Sequence, residues 1–135
     1  MARLDHVNIE TTRLAETVAF YADIIGLEAR DPPELDPAKV QWMYDEGGKA
    51  ILHISTAGSL LGEAEKGAGA EVAATTGAVH HVALDCAGHD AMVALLDAKG
   101  LGYRLNHVKT IDLKQIFVKD PNGVLIELNY FAHRQ

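Results

Sequence analysis

Three histidines and one glutamate stand in or beside stretches that otherwise read as apolar strands. They are His6 in "LDHVNIE", His53 in "AILHIS", His81 in "HHVALD" and Glu127 in "VLIELNY". Imidazole nitrogens and a carboxylate suit a borderline divalent ion such as Zn, Ni, Fe or Mn. Any two of the histidines with the glutamate would also make the two-histidine, one-carboxylate triad of non-haem iron. Singly, each residue has a plainer reading. A mid-strand histidine is commonly a satisfied core residue, and a mid-strand glutamate commonly lies on a wet face or pairs with an arginine. The metal reading rests on the four taken together.

The elements that must position them repeat. His6 and His81 lie 75 residues apart and each precedes a valine. Residues 4–10 alternate as a strand, with Thr11 or Thr12 placed to cap the helix that follows. Leu14, Val18, Tyr21 and Ile25 recur on one helical face, and Gly26 closes it. Residues 27–30 resume an extended chain, and "DPPELDP" is a loop because of its three prolines. Residues 40–44 and 50–55 are strands joined by a tight turn at Glu46-Gly47-Gly48. The second half has the same order. Residues 79–85 are a strand, residues 90–98 a helix with Ala91, Leu95 and Ala98 on one side, and residues 103–108 extended. Residues 115–119 and 124–130 are strands joined by the turn Asp120-Pro121-Asn122-Gly123. Each half therefore reads β-α-β-β-β, an α+β pattern. Residues 1–55 are the first module, 56–78 a linker rich in Gly, Ala, Thr and Glu with a short helix at 60–66, and 79–135 the second module. One such module is too small to bury a sheet face well alone, so the duplication has a structural reason before a functional one.

If the first and last strands of each module are neighbours, the four polar residues converge on one cavity. Matching the turn glycines leaves a discrepancy, since His53 stands one residue further from its turn than Glu127 does. Strand register decides what that means.

The totals exclude several classes. Net charge is -7, with 12 Lys and Arg against 19 Asp and Glu and no basic block, so neither nucleic acid nor an anionic membrane surface is an expected partner. The single cysteine, Cys86, cannot form an internal disulfide. Residues 1–20 have neither a long apolar core nor a cleavage site, and no run reaches membrane-span length, which leads to the expectation of a cytoplasmic protein.

With "LDHVNIE", "FYADIIGL", "HHVALD" and "FVKDPNGVLIELNY" in place, the chain resembles the vicinal-oxygen-chelate superfamily, the glyoxalase, bleomycin-resistance and extradiol-dioxygenase group. The terminal motif is the most specific part, and the likeness spans both modules. The resemblance implies two βαβββ modules forming an incomplete, U-shaped mixed β-barrel around one divalent metal ion, which binds substrate through two adjacent oxygens. Carried over residue by residue, the ligands are His6, His53, His81 and Glu127. His81 is preferred to His80 because, like His6, it precedes Val. Glyoxalase I usually has Glu at the position of His53, as ligand and base, and methylmalonyl-CoA epimerase resembles it with Gln. Extradiol dioxygenases use His, His and Glu and keep an acid/base histidine nearby. His53 is thus a fourth ligand or a proton shuttle. Extradiol enzymes also carry a catalytic tyrosine one strand before the Glu ligand, where this chain has Phe117.

The expected function is that of a metal-dependent isomerase, epimerase or lyase acting on a small α-oxygenated substrate, with His53 and Glu127 catalytic and no organic cofactor. The alternatives are an Fe(II)-dependent extradiol dioxygenase and a non-catalytic ligand-sequestering protein of the bleomycin-resistance type. Trp42, Tyr44, His107 and Asn129 are candidate substrate-pocket residues. A homodimer is expected by resemblance, with modules pairing within or between chains.

Overall fold

The computed structural model of the protein describes residues 1–56 and 76–134. The expected helix at 60–66 and most of the linker lie outside the described residues. The chain divides into two compact units, Met1–Ala73 and Ala74–Gln135.

The first unit runs β1 (Val7–Thr11), α1 (Leu14–Ala19, continued by a π-helical stretch Phe20–Ile25), β2 (Glu28–Arg30), β3 (Val40–Tyr44) and β4 (Ala50–Thr56). Its open sheet has the order β1-β4-β3-β2. The outer strand β1 runs parallel to β4 while the other pairs are antiparallel. The second unit runs β5 (Val82–Asp85), α2 (His89–Ala98), β6 (Tyr103–Val108), β7 (Leu113–Lys119) and β8 (Leu125–Phe131). Its sheet order, β5-β8-β7-β6, repeats the first, again with the outer first strand parallel to the last. Both units are βαβββ, and the protein is α+β.

The helix faces differ from expectation. On α1 and its continuation the buried residues are Thr17, Phe20, Tyr21 and Ile24, while Val18 and Ile25 are only half-buried. The π-helical stretch is the reason. A wider turn lets the adjacent Phe20 and Tyr21 both face the sheet, their rings edge-to-face at 5.1 Å. Burying side chains of this size contributes roughly 1.5–3 kcal/mol each. Gly26 ends the stretch at φ 90°, and the amides of Gly26 and Leu27 both donate to the Tyr21 carbonyl. On α2 the buried residue is Leu96, flanked by half-buried His89, Met92, Val93 and Leu95, whereas Ala91 and Ala98 are exposed. Two alanines carry too little apolar area to compete with Met92 and Leu96 for the sheet.

Thr11 holds the entry to α1, but the helix is capped at Arg13. The Thr11 hydroxyl accepts the Arg13 amide at 2.8 Å, and the Thr17 hydroxyl donates to the Arg13 carbonyl at 2.7 Å. Both threonines are fully buried, so their hydroxyls must be satisfied locally.

The two β-hairpins share one turn design at an offset of 75 residues. Asp45 Oδ1 accepts the amides of Gly47 and Lys49, and Asp120 Oδ1 accepts those of Asn122 and Val124. Gly48 at φ 79° and Gly123 at φ 82° complete the turns in the left-handed region. Beyond the turns the hairpins diverge. Lys119 and Val118 pair with successive residues Leu125 and Ile126. Tyr44 and Met43 pair with Ala50 and Leu52, which leaves Ile51 as the extra residue of a β-bulge.

Candidate metal-binding residues

The bulge settles the register. In β4, His53 pairs with Asn8 of β1, and in β8, Glu127 pairs with Ala83 of β5. Asn8 and Ala83 are 75 residues apart, so His53 and Glu127 occupy equivalent places in the repeat despite their unequal distances from the turns. Strands β1 and β5 begin at Val7 and Val82, later than expected, and leave His6 and His81 just outside the ladders. Each of these histidines therefore sits at the mouth of its first strand, beside the central polar residue of the neighbouring last strand.

In the first unit, His6 and His53 stack with ring centroids 3.8 Å apart and planes 14° from parallel. Trp42, directly across from His53 on β3, stacks on it at 4.3 Å. His53 is thus layered between an imidazole and an indole. Burial, and secondarily the charge of His6, holds its pKa below the ordinary histidine value, with Asp5 acting weakly the other way. A neutral His53 keeps one ring nitrogen with a free lone pair, as a ligand or a proton acceptor requires. Asp5 Oδ2 lies 2.7 Å from His6 Nδ1. That contact places the ring proton on Nδ1 and leaves Nε2 as the donor atom, the arrangement that carboxylates impose on metal-bound histidines. Tyr44 lies beyond Trp42 on the same strand, its ring capped by the Arg30 guanidinium at 4.3 Å.

In the second unit, His81 Nε2 lies 3.9 Å from Glu127 Oε2. Both oxygens of Glu127 are held. Gln115 Nε2 donates to Oε1 at 3.2 Å, and Asn129 Nδ2 donates to Oε2 at 3.1 Å. Gln115 also donates to Asn129 Oδ1 at 2.9 Å and accepts from Asn106 Nδ2 at 2.8 Å. Asn106, Gln115 and Asn129 follow one row across β6, β7 and β8. This carboxamide chain accounts for a glutamate in so apolar a strand, because it supplies the hydrogen bonds that burial would otherwise remove. The His80 and His81 Nδ1 atoms are 2.9 Å apart.

His107 lies apart from this group. It pairs with Lys114 and, through it, with Tyr130, on the face of the sheet opposite Glu127, and its Nε2 meets Asp112 Oδ1 at 2.9 Å. Asn129 shares the Glu127 face. Gln115, Asn106 and Asp5 escaped the sequence reading. The signal for Gln115 was available, since strand alternation places it with Phe117, but it becomes a partner of Glu127 only through the β7–β8 register.

Among the described residues no three His, Cys, Asp or Glu side chains gather as one metal-holding group. The donors occur as pairs, and the pairs fit a metal in kind. Nitrogen and oxygen ligands at about 2.0–2.2 Å from an ion lie roughly 3–3.5 Å from each other. His81 and Glu127 approach that separation to within about half an ångström. His6 and His53 must turn from stacking for their in-plane lone pairs to meet at one ion.

The family model "Glyoxalase/Bleomycin resistance protein/Dioxygenase superfamily" matches residues 3–128. No curated protein matches the chain. Among solved structures it resembles a glyoxalase/dioxygenase from Nostoc punctiforme at 18% identity and TM-score 0.69, covering 96% of this chain and 90% of that one. It also resembles a glyoxalase/bleomycin resistance protein/dioxygenase from Nocardioides at 16% identity and TM-score 0.66, covering 97% and 84%. A third is the fosfomycin resistance protein FosX from Listeria monocytogenes, at 17% identity and TM-score 0.65, covering 96% and 93%. At these identities the likeness shows a shared fold.

Proposed function

We propose a metal-dependent reaction for this chain, which belongs to the glyoxalase/bleomycin resistance protein/dioxygenase superfamily. The reading is an isomerase, epimerase or lyase acting on a small α-oxygenated substrate. The ligands are His6, His81 and Glu127, with His53 either a fourth ligand or the proton shuttle. The observation that carries it is the register, in which His53 and Glu127 are repeat-equivalent and each neighbours the histidine that precedes its module's first strand. Random retention of polar residues does not favour that symmetry.

A bound divalent ion would supply Lewis acidity to a substrate carbonyl or enolate oxygen. The chain's own residues do the rest. Asp5 sets the tautomer of His6. The carboxamides of Gln115 and Asn129 hold Glu127 in one rotamer. His53, whose pKa burial lowers, is the residue best suited to take a proton beside that oxygen. Trp42 and Tyr44 wall its side of the sheet. Phe117, directly across from Glu127, has no hydroxyl to move a proton, which counts against catechol ring cleavage. The protein acts as a homodimer, which light scattering during gel filtration tests.

The deciding experiment is elemental identification of the co-purified metal, followed by titration of Zn, Ni, Fe(II) or Mn into wild type and His53→Ala. Unchanged affinity in His53→Ala makes His53 the proton shuttle, and a loss makes it a ligand. Absence of binding by wild type ends the metal reading.

A further inference from the structure

Beside Glu127 the sheet of the second unit carries a pocket of about 440 Å³ lined by Leu101, Gly102, Arg104, Phe117, Lys119 and Leu125. Arg104, Phe117 and Glu127 form one row across β6, β7 and β8, and Lys119 stands diagonally from Arg104 on the same face. The Arg104 guanidinium lies over the Phe117 ring, 4.8 Å from its centroid. Among the described residues Arg104 makes no ion pair, in contrast to Arg30, bound to Glu28, and Arg134, bound to Asp85. A stacked guanidinium keeps its edge donors directed outward. Here that edge borders a cavity with an apolar wall and a second cation.

We propose that this pocket is an anion subsite that selects substrates with a carboxylate remote from the two oxygens bound beside Glu127. The inference deepens the proposed metal-dependent function and rests on it only for the position of those oxygens. Three features carry it. The planar fork of Arg104 matches a carboxylate in two parallel hydrogen bonds, and the Lys119 ammonium adds a point charge. Leu101, Phe117 and Leu125 suit a short carbon chain between the two ends. The row geometry sets its length. Neighbouring strands are about 4.8 Å apart, so Arg104 and Glu127 stand about 10 Å apart at the backbone, and Arg104 leans back over Phe117 to shorten that gap. About three methylenes bridge the remainder. The chain's net charge of -7 repels anions in general, so a local preference for one would come from this pocket.

The test uses glutaric acid monohydroxamate, a two-oxygen chelator with a distal carboxylate, and its methyl ester. Both are titrated by NMR into the metal-loaded and the metal-stripped protein. In wild type the acid should bind about 10- to 100-fold more tightly than the ester in both forms. Arg104→Gln should erase that ratio while leaving metal affinity unchanged, and Arg104→Lys should restore part of it. Equal binding of acid and ester by wild type, or a preference surviving in Arg104→Gln, overturns the subsite. The metal reading has its own readout in the same titrations. If metal does not strengthen binding of the ester, that reading fails, and the acid-to-ester ratio still decides the subsite.

Discussion

His81 and His80 are adjacent, both exposed, and in contact through their Nδ1 atoms, yet only His81 turns its Nε2 toward Glu127. His81→Ala and Glu127→Ala should each weaken metal binding by about 100-fold or more, whereas His80→Ala should stay close to wild type; calorimetric titration separates the two cases. Gln115 never touches the metal in this scheme, but it holds Glu127 Oε1 and is itself held by Asn106. Gln115→Ala should lower metal affinity by about 10-fold with the circular dichroism spectrum intact. Tyr130 presents a different residue-scale case. Its hydroxyl is buried with no hydrogen-bond partner among the described residues, and burial raises its pKa well above the ordinary tyrosine value. An unsatisfied buried hydroxyl costs about 1–3 kcal/mol, so Tyr130→Phe should stabilise the protein by about 1 kcal/mol in urea denaturation.

At the scale of elements, the β3–β4 and β7–β8 hairpins share an aspartate-anchored turn and differ by one bulged residue, Ile51. The pairing of β4 with β1 continues in register from Leu52 onward, so the bulge alone absorbs the extra residue. Deleting Ile51 should therefore leave His53 opposite Asn8 and change metal affinity only a few-fold. The stability cost should be about 1 kcal/mol, from one half-buried aliphatic side chain. A loss of two orders of magnitude in metal affinity would show that His53 is not placed by the β1–β4 ladder. The strands themselves were readable from alternation and turn chemistry. The burial of α1 was not, because periodicity assumes 3.6 residues per turn and the Phe20–Ile25 stretch departs from it.

At the scale of the whole molecule, each unit has its own sheet and its own apolar face, with Ile9, Phe20, Tyr21, Met43, Leu52 and Ile54 in the first and Leu96, Ile116, Val118, Ile126 and Leu128 in the second. Among the described residues no helix is long and apolar enough to cross a membrane. A metal that binds the folded protein and not the unfolded chain adds stability by mass action, about 2.7 kcal/mol at a free concentration 100 times Kd. Stripping the protein with a chelator should accordingly lower its Tm, and the Glu127→Ala variant should lose that response.

The order β-α-β-β-β, twice, was legible in the chain, because hydrophobic period, proline and glycine positions and turn residues are local properties. So were His6, His53, His81 and Glu127 as candidates, because polar side chains in or beside apolar strands are visible without coordinates. The equivalence of His53 and Glu127 was not, since a one-residue bulge is invisible until cross-strand partners are known. The Gln115 and Asn106 support, the separation of His107 from the Glu127 face, and the Arg104 pocket share that cause. Each depends on which residue of a distant strand stands opposite, and hydrogen-bonded register, not sequence spacing, decides that.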